Sequence, residues 1–199
     1  MTITRAAVAT LAALALTSVG AAADAHPGHG HHGSRAERDP SVRVLKALGH
    51  LDRHLAHATR DGRLSRLTAD DSAALQANAA ADQAAVTAAA DAYSTDPGAA
   101  SLAAAKVVLR TYRPRVYVVA TNLLRHDERL TVEIADLQPL VTPGSTDETD
   151  LATASGLLDG VAASAFTATT DGATVRAAQH AVAQAQALVD QVAADVAAG

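Results

Sequence analysis

Histidine is the residue type whose spacing in this sequence first suggests chemistry. A short tract of histidine, glycine and proline lies near the amino terminus. Because neutral imidazole binds Zn, Cu and Ni, histidine tracts are typical of transition-metal sites. The tract therefore offers a candidate Cu, Ni or Zn site with four ligands: His26, His29, His31 and His32. The alternative interpretation is a flexible spacer whose histidines respond to pH.

Two processing sites would give this tract different chemistry. Small residues at positions 20–25 contain two A-x-A cleavage signals, which end at Ala23 and Ala25. Cleavage after Ala23 leaves a terminal amine with His26 in third place, an arrangement that binds square-planar Cu(II) or Ni(II) through nitrogen atoms. Cleavage after Ala25 places Pro27 second, and proline has no amide hydrogen to release, so the same site cannot form.

A second histidine group lies on the first predicted helix, over residues 41–60, and just beyond it. Its members are His50, His54, His57 and Asp61. At about 100° per residue they occupy an arc of roughly 60° on one helix face. His50 and His54 are one turn apart and could chelate one Zn(II) or Cu(II), with His57 or Asp61 as a third ligand. The alternative is a row of solvated histidines at the border of the core.

Other catalytic patterns are missing from the sequence. It contains no cysteine, which excludes a disulfide, a thiolate metal site and a cysteine nucleophile. It also has no Glu-x-x-His pair of the di-iron type, no G-x-S-x-G, no glycine-rich phosphate loop and no H-E-x-x-H. We therefore expect a protein that is not an enzyme.

The first 25 residues have the pattern of a secretory signal peptide. One positive charge, Arg5, precedes residues 6–19, which are uncharged and mostly Ala, Leu and Val. A run of about 14 residues is too short to span a bilayer and has the length of a signal-peptide core. We predict a signal peptide over residues 1–25, cut after Ala23 or Ala25. We expect a flexible, disordered His/Gly/Pro-rich segment over residues 26–40 to follow, and we expect the product to be secreted without a membrane anchor.

Composition narrows the range of partners. The 199 residues carry a formal net charge of −5, and 19% of them are charged. This balance lacks the basic excess of a nucleic-acid-binding protein. The sequence has only three tyrosines, one phenylalanine and no tryptophan, so it also lacks the aromatic anchors of membrane-surface helices.

Helical periodicity over residues 41–199 predicts an all-α fold in a single domain. Apolar residues recur at spacings of three and four, and no strand alternation is present. Helix-start signals occur at Thr68, at Asp96 with Pro97, at Ser145 with Glu148 and at Asp171. Connections of about 4–8 residues are typical of antiparallel neighbours. We expect an antiparallel helical bundle of four to five helices.

The third predicted helix contains an internal proline. Its apolar stripe runs from Leu102 to Leu123 through Pro114, before a polar patch at residues 125–129. Proline removes a backbone hydrogen bond and kinks a helix, so we expect one long helix kinked at Pro114. A break near Arg125 is the alternative.

The last predicted helix has the clearest amphipathic pattern. Every a and d position of its heptads is apolar: Val175, Ala178, Val182, Ala185, Val189, Val192 and Val196. Such a seam serves either the core of the domain or pairing with a second copy, so a homo-oligomer is an open alternative. Because alanine fills most interior positions, we expect the core to depend on a few large residues: Leu109, Tyr112, Leu123, Leu158 and Phe166.

A locally basic run with two tyrosines occupies residues 110–117. It could contact an anionic polymer of the cell envelope, or its arginines could form a solvated helix face paired with carboxylates. The run Leu109-Arg110-x-Tyr112-Arg113-Pro114-x-Val116-Tyr117, behind an Asp-Pro helix start, resembles a pattern in secreted, alanine-rich helical proteins of actinomycete-type bacteria. The resemblance covers about residues 41–199. It implies a helical, exported protein and carries over no catalytic or binding residue.

Two functions follow as hypotheses. The first is a secreted, non-enzymatic helical bundle that acts as a binding or interaction module, with a protein or envelope partner that the sequence does not identify. The second is an extracytoplasmic Cu, Ni or Zn binding protein that uses the N-terminal histidine tract. Only the second predicts that deletion of residues 24–32 abolishes metal affinity.

Overall fold

The computed structural model describes residues 40–198, and these residues form helices and connecting segments without a strand. The all-α prediction is therefore confirmed for this part of the chain. The α-helices are α1 (Pro40–Ala58), α2 (Asp61–Leu64), α3 (Ala69–Thr95), α4 (Ala99–Thr111), α5 (Arg115–Leu137), α6 (Thr146–Leu158) and α7 (Gly172–Ala198). A short 3-10 helix, Ala163–Ala165, lies between α6 and α7.

Polar side chains fix three of the predicted helix starts. The hydroxyl of Thr68 accepts a hydrogen bond from the backbone N–H of Asp71, and Ser145 accepts one from Glu148. The Glu148 carboxylate in turn accepts from the N–H of Gly144 at 2.6 Å, so the capping box closes one residue before the cap. Asp171 accepts from the N–H of Thr174 at 2.7 Å and caps α7. These caps satisfy donors that the first helical turn leaves free.

The predicted start at Asp96 and Pro97 is wrong. Asp96 is the C-terminal cap of α3, with its N–H bonded to the carbonyl of Ala92, and α4 begins two residues later behind Gly98. The hydroxyl of Ser101 donates to the carbonyls of Asp96 and Gly98 and holds this short turn together. A Ser hydroxyl that donates a hydrogen bond to a preceding backbone carbonyl favours a turn over a continuing helix.

The long helix expected around Pro114 is two separate helices, α4 and α5. The helix is interrupted at residues 112–114, and Tyr112 has extended backbone angles (φ −80°, ψ 124°). A proline disfavours helical angles in the residue before it, and its ring clashes with the carbonyl four residues back. Pro114 then adopts helical angles and opens α5, a position that its fixed φ suits. Helix α5 continues through Arg125, so no break occurs there.

This interruption changes the number of helices. Six helices of 13 residues or more are present in the described range, with the four-residue α2 in addition, instead of the four to five expected. Helix α1 packs on α3 and α4, and α3 also packs on α4 and on the 3-10 helix. Helix α7 packs on α5 and α6.

One hydrophobic core joins all these helices. On α7 the predicted seam is confirmed, since Val182, Ala185, Val189 and Val192 are buried and the outer three positions are partly buried. Three of the expected large core residues, Leu123, Leu158 and Phe166, are also buried. Leu109 and Tyr112 are only partly buried and pack against the edge of the core. Six leucines that were not among those expected are fully buried in the core: Leu48, Leu55, Leu75, Leu124, Leu130 and Leu151.

Candidate functional site

The histidines of α1 lie on its solvent side. His50, His54 and His57 are all exposed, as their angular offset from the leucine stripe predicts. His57 Nε2 lies 3.3 Å from the guanidinium of Arg63, a geometry in which the ring nitrogen accepts. Among the side chains that the structure describes, which do not include that of Asp61, no three His, Asp or Glu are grouped closely enough to hold one metal ion. A metal role for His50, His54, His57 and Asp61 therefore stays a prediction.

The N-terminal candidates fall in another part of the chain. His26, His29, His31 and His32, and the predicted signal peptide over residues 1–25, lie outside the described residues. Their metal affinity and the export of the protein stay predictions from the sequence.

Residues 112–114 link α4 to α5, and we call them the link. Its backbone is fixed from across the fold, because the N–H of Arg113 donates to the carbonyl of Ala168 at 2.7 Å. This bond replaces the helical bond that Arg113 forgoes when the chain leaves α4. The link is consequently joined to the segment that connects α6 with α7.

A buried carboxylate holds the same segment from the other side. Asp82, on α3, is 7% exposed, and its Oδ2 accepts from the hydroxyl of Tyr117 at 2.5 Å and from the N–H of Ala168 at 2.6 Å. One turn earlier on α3, the amide of Asn78 donates to the carbonyl of Phe166 at 2.9 Å. We call this arrangement the Asp82 hub. It connects α3, α5, and the segment before α7.

Burial and the charge of Asp82 raise the pKa values of two tyrosines. Burial, together with the hydrogen bond to the Asp82 carboxylate and its charge, raises the pKa of Tyr117 well above its ordinary value. Burial and the charge of Asp82 also raise the pKa of Tyr112. Both phenols therefore stay protonated at neutral pH, and Tyr117 can only donate to the carboxylate. The two tyrosines of the basic run support the fold.

The arginines of the same run have no structural role of this kind. Arg113 and Arg115 are exposed, and no hydrogen bond or ion pair joins either guanidinium to another group that the structure describes. The expected pairing of these arginines with carboxylates is therefore absent in the described part of the chain. Two guanidinium groups remain available to an external anion.

Two shallow clefts flank this link. The first, of about 280 Å³, has an apolar floor beneath three arginines, and we call it the link cleft; its lining is Arg113, Arg115, Val116, Val119, Thr170, Gly172, Val175 and Arg176. The second, of about 360 Å³, we call the histidine cleft; its lining is Leu51, His54, His57, Ala58, Pro114, Arg115 and Val118. Arg115 belongs to both clefts.

The third arginine comes from near the start of α7. The Arg176 guanidinium folds back over Gly172, with Nη1 3.2 Å from the place where a Cβ on Gly172 would lie. Asp171 lies close by, and its pKa is lowered by its hydrogen bonds to the N–H groups of Thr174 and Ala173 and by the charge of Arg176. The Asp171 carboxylate accepts hydrogen bonds from the first N–H groups of α7. The cationic groups of the link cleft are its three arginines.

A separate polar cluster occupies the predicted patch at residues 125–129. His126 Nε2 lies 2.9 Å from Gln186 Oε1 and 2.7 Å from Arg129 Nη2, so it joins α5 to α7. Glu128 accepts from the N–H of Thr68 at 2.5 Å, and Arg125 donates to the carbonyl of Arg63. His126 therefore has a structural role.

Asp127, in the same cluster, carries a raised pKa. Burial, and then the charges of Asp71, Glu128 and Asp159, raise its pKa from 3.8 to about 6. Its Oδ1 is buried and accepts no hydrogen bond in the described structure. A charged Asp127 therefore costs folding free energy at neutral pH.

Among residues 40–198, no helix combines the length and apolar character that crossing a bilayer requires.

Comparison with known proteins identifies no relative. No family model, no curated protein and no solved structure matches this chain. The resemblance of residues 109–117 to secreted actinomycete-type proteins stays a prediction.

Proposed function

We propose that this chain is an exported, non-enzymatic binding module, built as an antiparallel helical bundle, that holds an anionic partner. Its binding surface would be the link face, by which we mean Arg113, Arg115 and Arg176 with the link cleft that they line and the histidine cleft that Arg115 also lines. The observation that carries this proposal is the pair of unpartnered guanidinium groups on a link whose backbone is fixed.

Fixation of the link matters for affinity. Binding costs free energy whenever a loop must be ordered, and a pre-formed surface reduces this cost. The bond from Arg113 to Ala168 and the Asp82 hub hold the backbone that carries both arginines. Only the side chains of Arg113 and Arg115 have to lose freedom when a partner binds.

Charge complementarity supports an anionic partner. The formal net charge of the chain is −5, so its cationic groups attract anions only where they are concentrated. Arg113, Arg115 and Arg176 converge on one small cleft. Guanidinium groups form paired hydrogen bonds with carboxylates and phosphates, which gives geometric specificity as well as attraction.

The test is binding to two polyanions, poly-glutamate and dextran sulfate, measured at increasing NaCl concentrations. Variant Arg113→Gln/Arg115→Gln should bind about tenfold more weakly than the unaltered protein at low salt, because charged hydrogen bonds are lost. The difference should shrink as salt screens the remaining charge.

A matched control removes the same charge elsewhere. Lys46 and Arg66 are exposed and line neither cleft, so Lys46→Gln/Arg66→Gln changes the net charge equally. This control should bind as the unaltered protein does. Equal weakening in both double variants, or no binding by any form, would overturn the proposal.

A further inference from the structure

The link cleft has two chemically different parts, and together they specify a class of ligand. Its floor consists of valine side chains, Val116, Val119 and Val175, from α5 and α7. Its rim carries Arg113, Arg115 and Arg176. An inorganic anion would use the rim alone and leave the floor in contact with water.

From this arrangement we infer that the link cleft binds the end of an amphiphilic anion, a carboxylate or phosphate monoester attached to a short hydrocarbon chain. The inference rests on the proposed function and names the ligand class of the same surface. The head group would lie among the guanidinium groups, and the chain would lie along the valines. Burial of that chain adds a contribution that salt does not screen.

Three elements supply the arginines, which defines where the head group lies. Arg113 comes from the link, Arg115 from the first residue of α5, and Arg176 from near the start of α7. The Arg176 guanidinium lies over Gly172, which also lines the cleft, with Nη1 3.2 Å from the place where a Cβ would stand. Guanidinium groups that line one cleft favour a group with two or three oxygens over a neutral one.

The size of the cleft limits the chain. Its volume of about 280 Å³ lies just below the range for small-molecule sites, roughly 300–1,000 Å³. The cleft is open on one side, so the distal part of a long chain would extend into solvent. A chain of about eight carbons is therefore a suitable probe, and longer chains should gain little.

Titration calorimetry with sodium octanoate, hexanoate and acetate, and with octyl phosphate, tests the inference. Each added methylene that reaches the floor should tighten binding by about two- to fourfold, because a fully buried methylene contributes about fourfold. Octyl glucoside and octyl trimethylammonium, which share the chain but lack the negative charge, should not compete. Comparison of octanoate with octyl phosphate distinguishes a carboxylate from a phosphate head group.

Variants separate the rim from the floor. Arg176→Gln, and separately Arg113→Gln/Arg115→Gln, should weaken octanoate by about tenfold or more, and the Lys46→Gln/Arg66→Gln control should not. Val175→Ser should reduce the gain per methylene and leave acetate unchanged. All these positions except partly buried Val175 are exposed, so circular dichroism should show unaltered folding.

The outcomes also distinguish this inference from the broader proposal. Octanoate that binds no more tightly than acetate would overturn the ligand class, and arginine-dependent binding of poly-glutamate would still support the proposed function. If neither octanoate nor the polyanions depend on Arg113 and Arg115, both proposals fail.

Discussion

The hydroxyl of Tyr117 donates a 2.5 Å hydrogen bond to the carboxylate of Asp82, and both side chains are buried. The same carboxylate oxygen accepts from the backbone of Ala168, so one buried group joins α3, α5 and the segment before α7. A buried carboxylate is costly unless its hydrogen bonds are satisfied. The Asp82 hub is therefore a place where small substitutions have large effects.

Tyr117→Phe should destabilise the protein by about 1–3 kcal/mol, because the Asp82 carboxylate loses a donor while it stays buried. Urea unfolding at pH 7 measures the change. Tyr93→Phe is the matched control, since Tyr93 is equally buried on α3 but does not bond Asp82. A similar loss in both variants would mean that the hydroxyl of Tyr117 contributes nothing specific.

Alkaline titration should show the raised pKa values of Tyr112 and Tyr117. Because these pKa values exceed the ordinary value of 10 in the folded state, the folded protein keeps protons that the unfolded chain releases. Stability is therefore complete below pH 10 and falls as the pH rises above it. The absorbance change at 295 nm below the unfolding transition should be the same in the unaltered protein and in Tyr117→Phe. A smaller change in the variant would show that Tyr117 ionises in the folded state.

Asp127→Asn should stabilise the protein at neutral pH. Its folded pKa of about 6 exceeds the ordinary value of 3.8, so the folded state binds more protons between these values. Stability of the unaltered protein should fall as the pH rises from about 4 to about 6. The variant should lose this dependence and gain at most about 1 kcal/mol at pH 7, since solvent screens a partly exposed group.

Urea unfolding at pH 4 and at pH 7 measures this gain. Asp136→Asn, an exposed position on the same helix, serves as the control and should change stability little at either pH. A gain for Asp127→Asn that is equal at both pH values would contradict the assignment to ionisation.

Leu123→Ala should cost about 2–4 kcal/mol, because it removes a large side chain from the core. Val132, on the same helix, is 61% exposed, and Val132→Ala should cost less than about 0.5 kcal/mol. Thermal and urea unfolding of the two variants give the comparison. Equal midpoints would place Leu123 outside the core.

Metal affinity should follow the N-terminal tract and not the histidines of α1. Native mass spectrometry of the protein with Cu(II), Ni(II) and Zn(II) is the measurement, and the intact mass also identifies the cleavage site. Deletion of residues 24–32 should remove bound metal, whereas His50→Ala/His54→Ala/His57→Ala should retain it, since the described residues form no three-ligand group. Metal lost only in the triple variant would reverse this assignment.

Local sequence patterns predicted the helices well where polar caps and apolar stripes agree. Thr68 and Ser145 cap helices as expected, and the seam of α7 is buried. Asp96-Pro97 and Pro114 were misinterpreted because a proline fits both the first turn of a helix and a break between helices. Only the partners of the neighbouring backbone groups, such as Ala168 opposite Arg113, distinguish the two.

The candidate site was only partly predictable. The sequence drew attention to the basic run at residues 110–117, but Arg176 joins it through the packing of α7 on α5. One sequence feature indicates the Asp82 hub, although it was not used in the prediction. Asp82 continues the apolar spacing of Leu75, Ala79 and Val86 on α3, and a carboxylate on such a stripe indicates a buried anchor. Its partners, more than 30 residues away, could not be inferred from that spacing.

Asn78 and Asp82 hold the segment before α7 entirely through peptide groups: the carbonyls of residues 163, 164 and 166 and the N–H of Ala168. Recognition of this kind is indifferent to the identity of the exposed side chains at Ser164, Ala165 and Thr169. It is strict about spacing, because one inserted or deleted residue would shift every peptide group out of register. In evolution these three exposed positions are therefore free to vary in composition, whereas the segment is constrained in length.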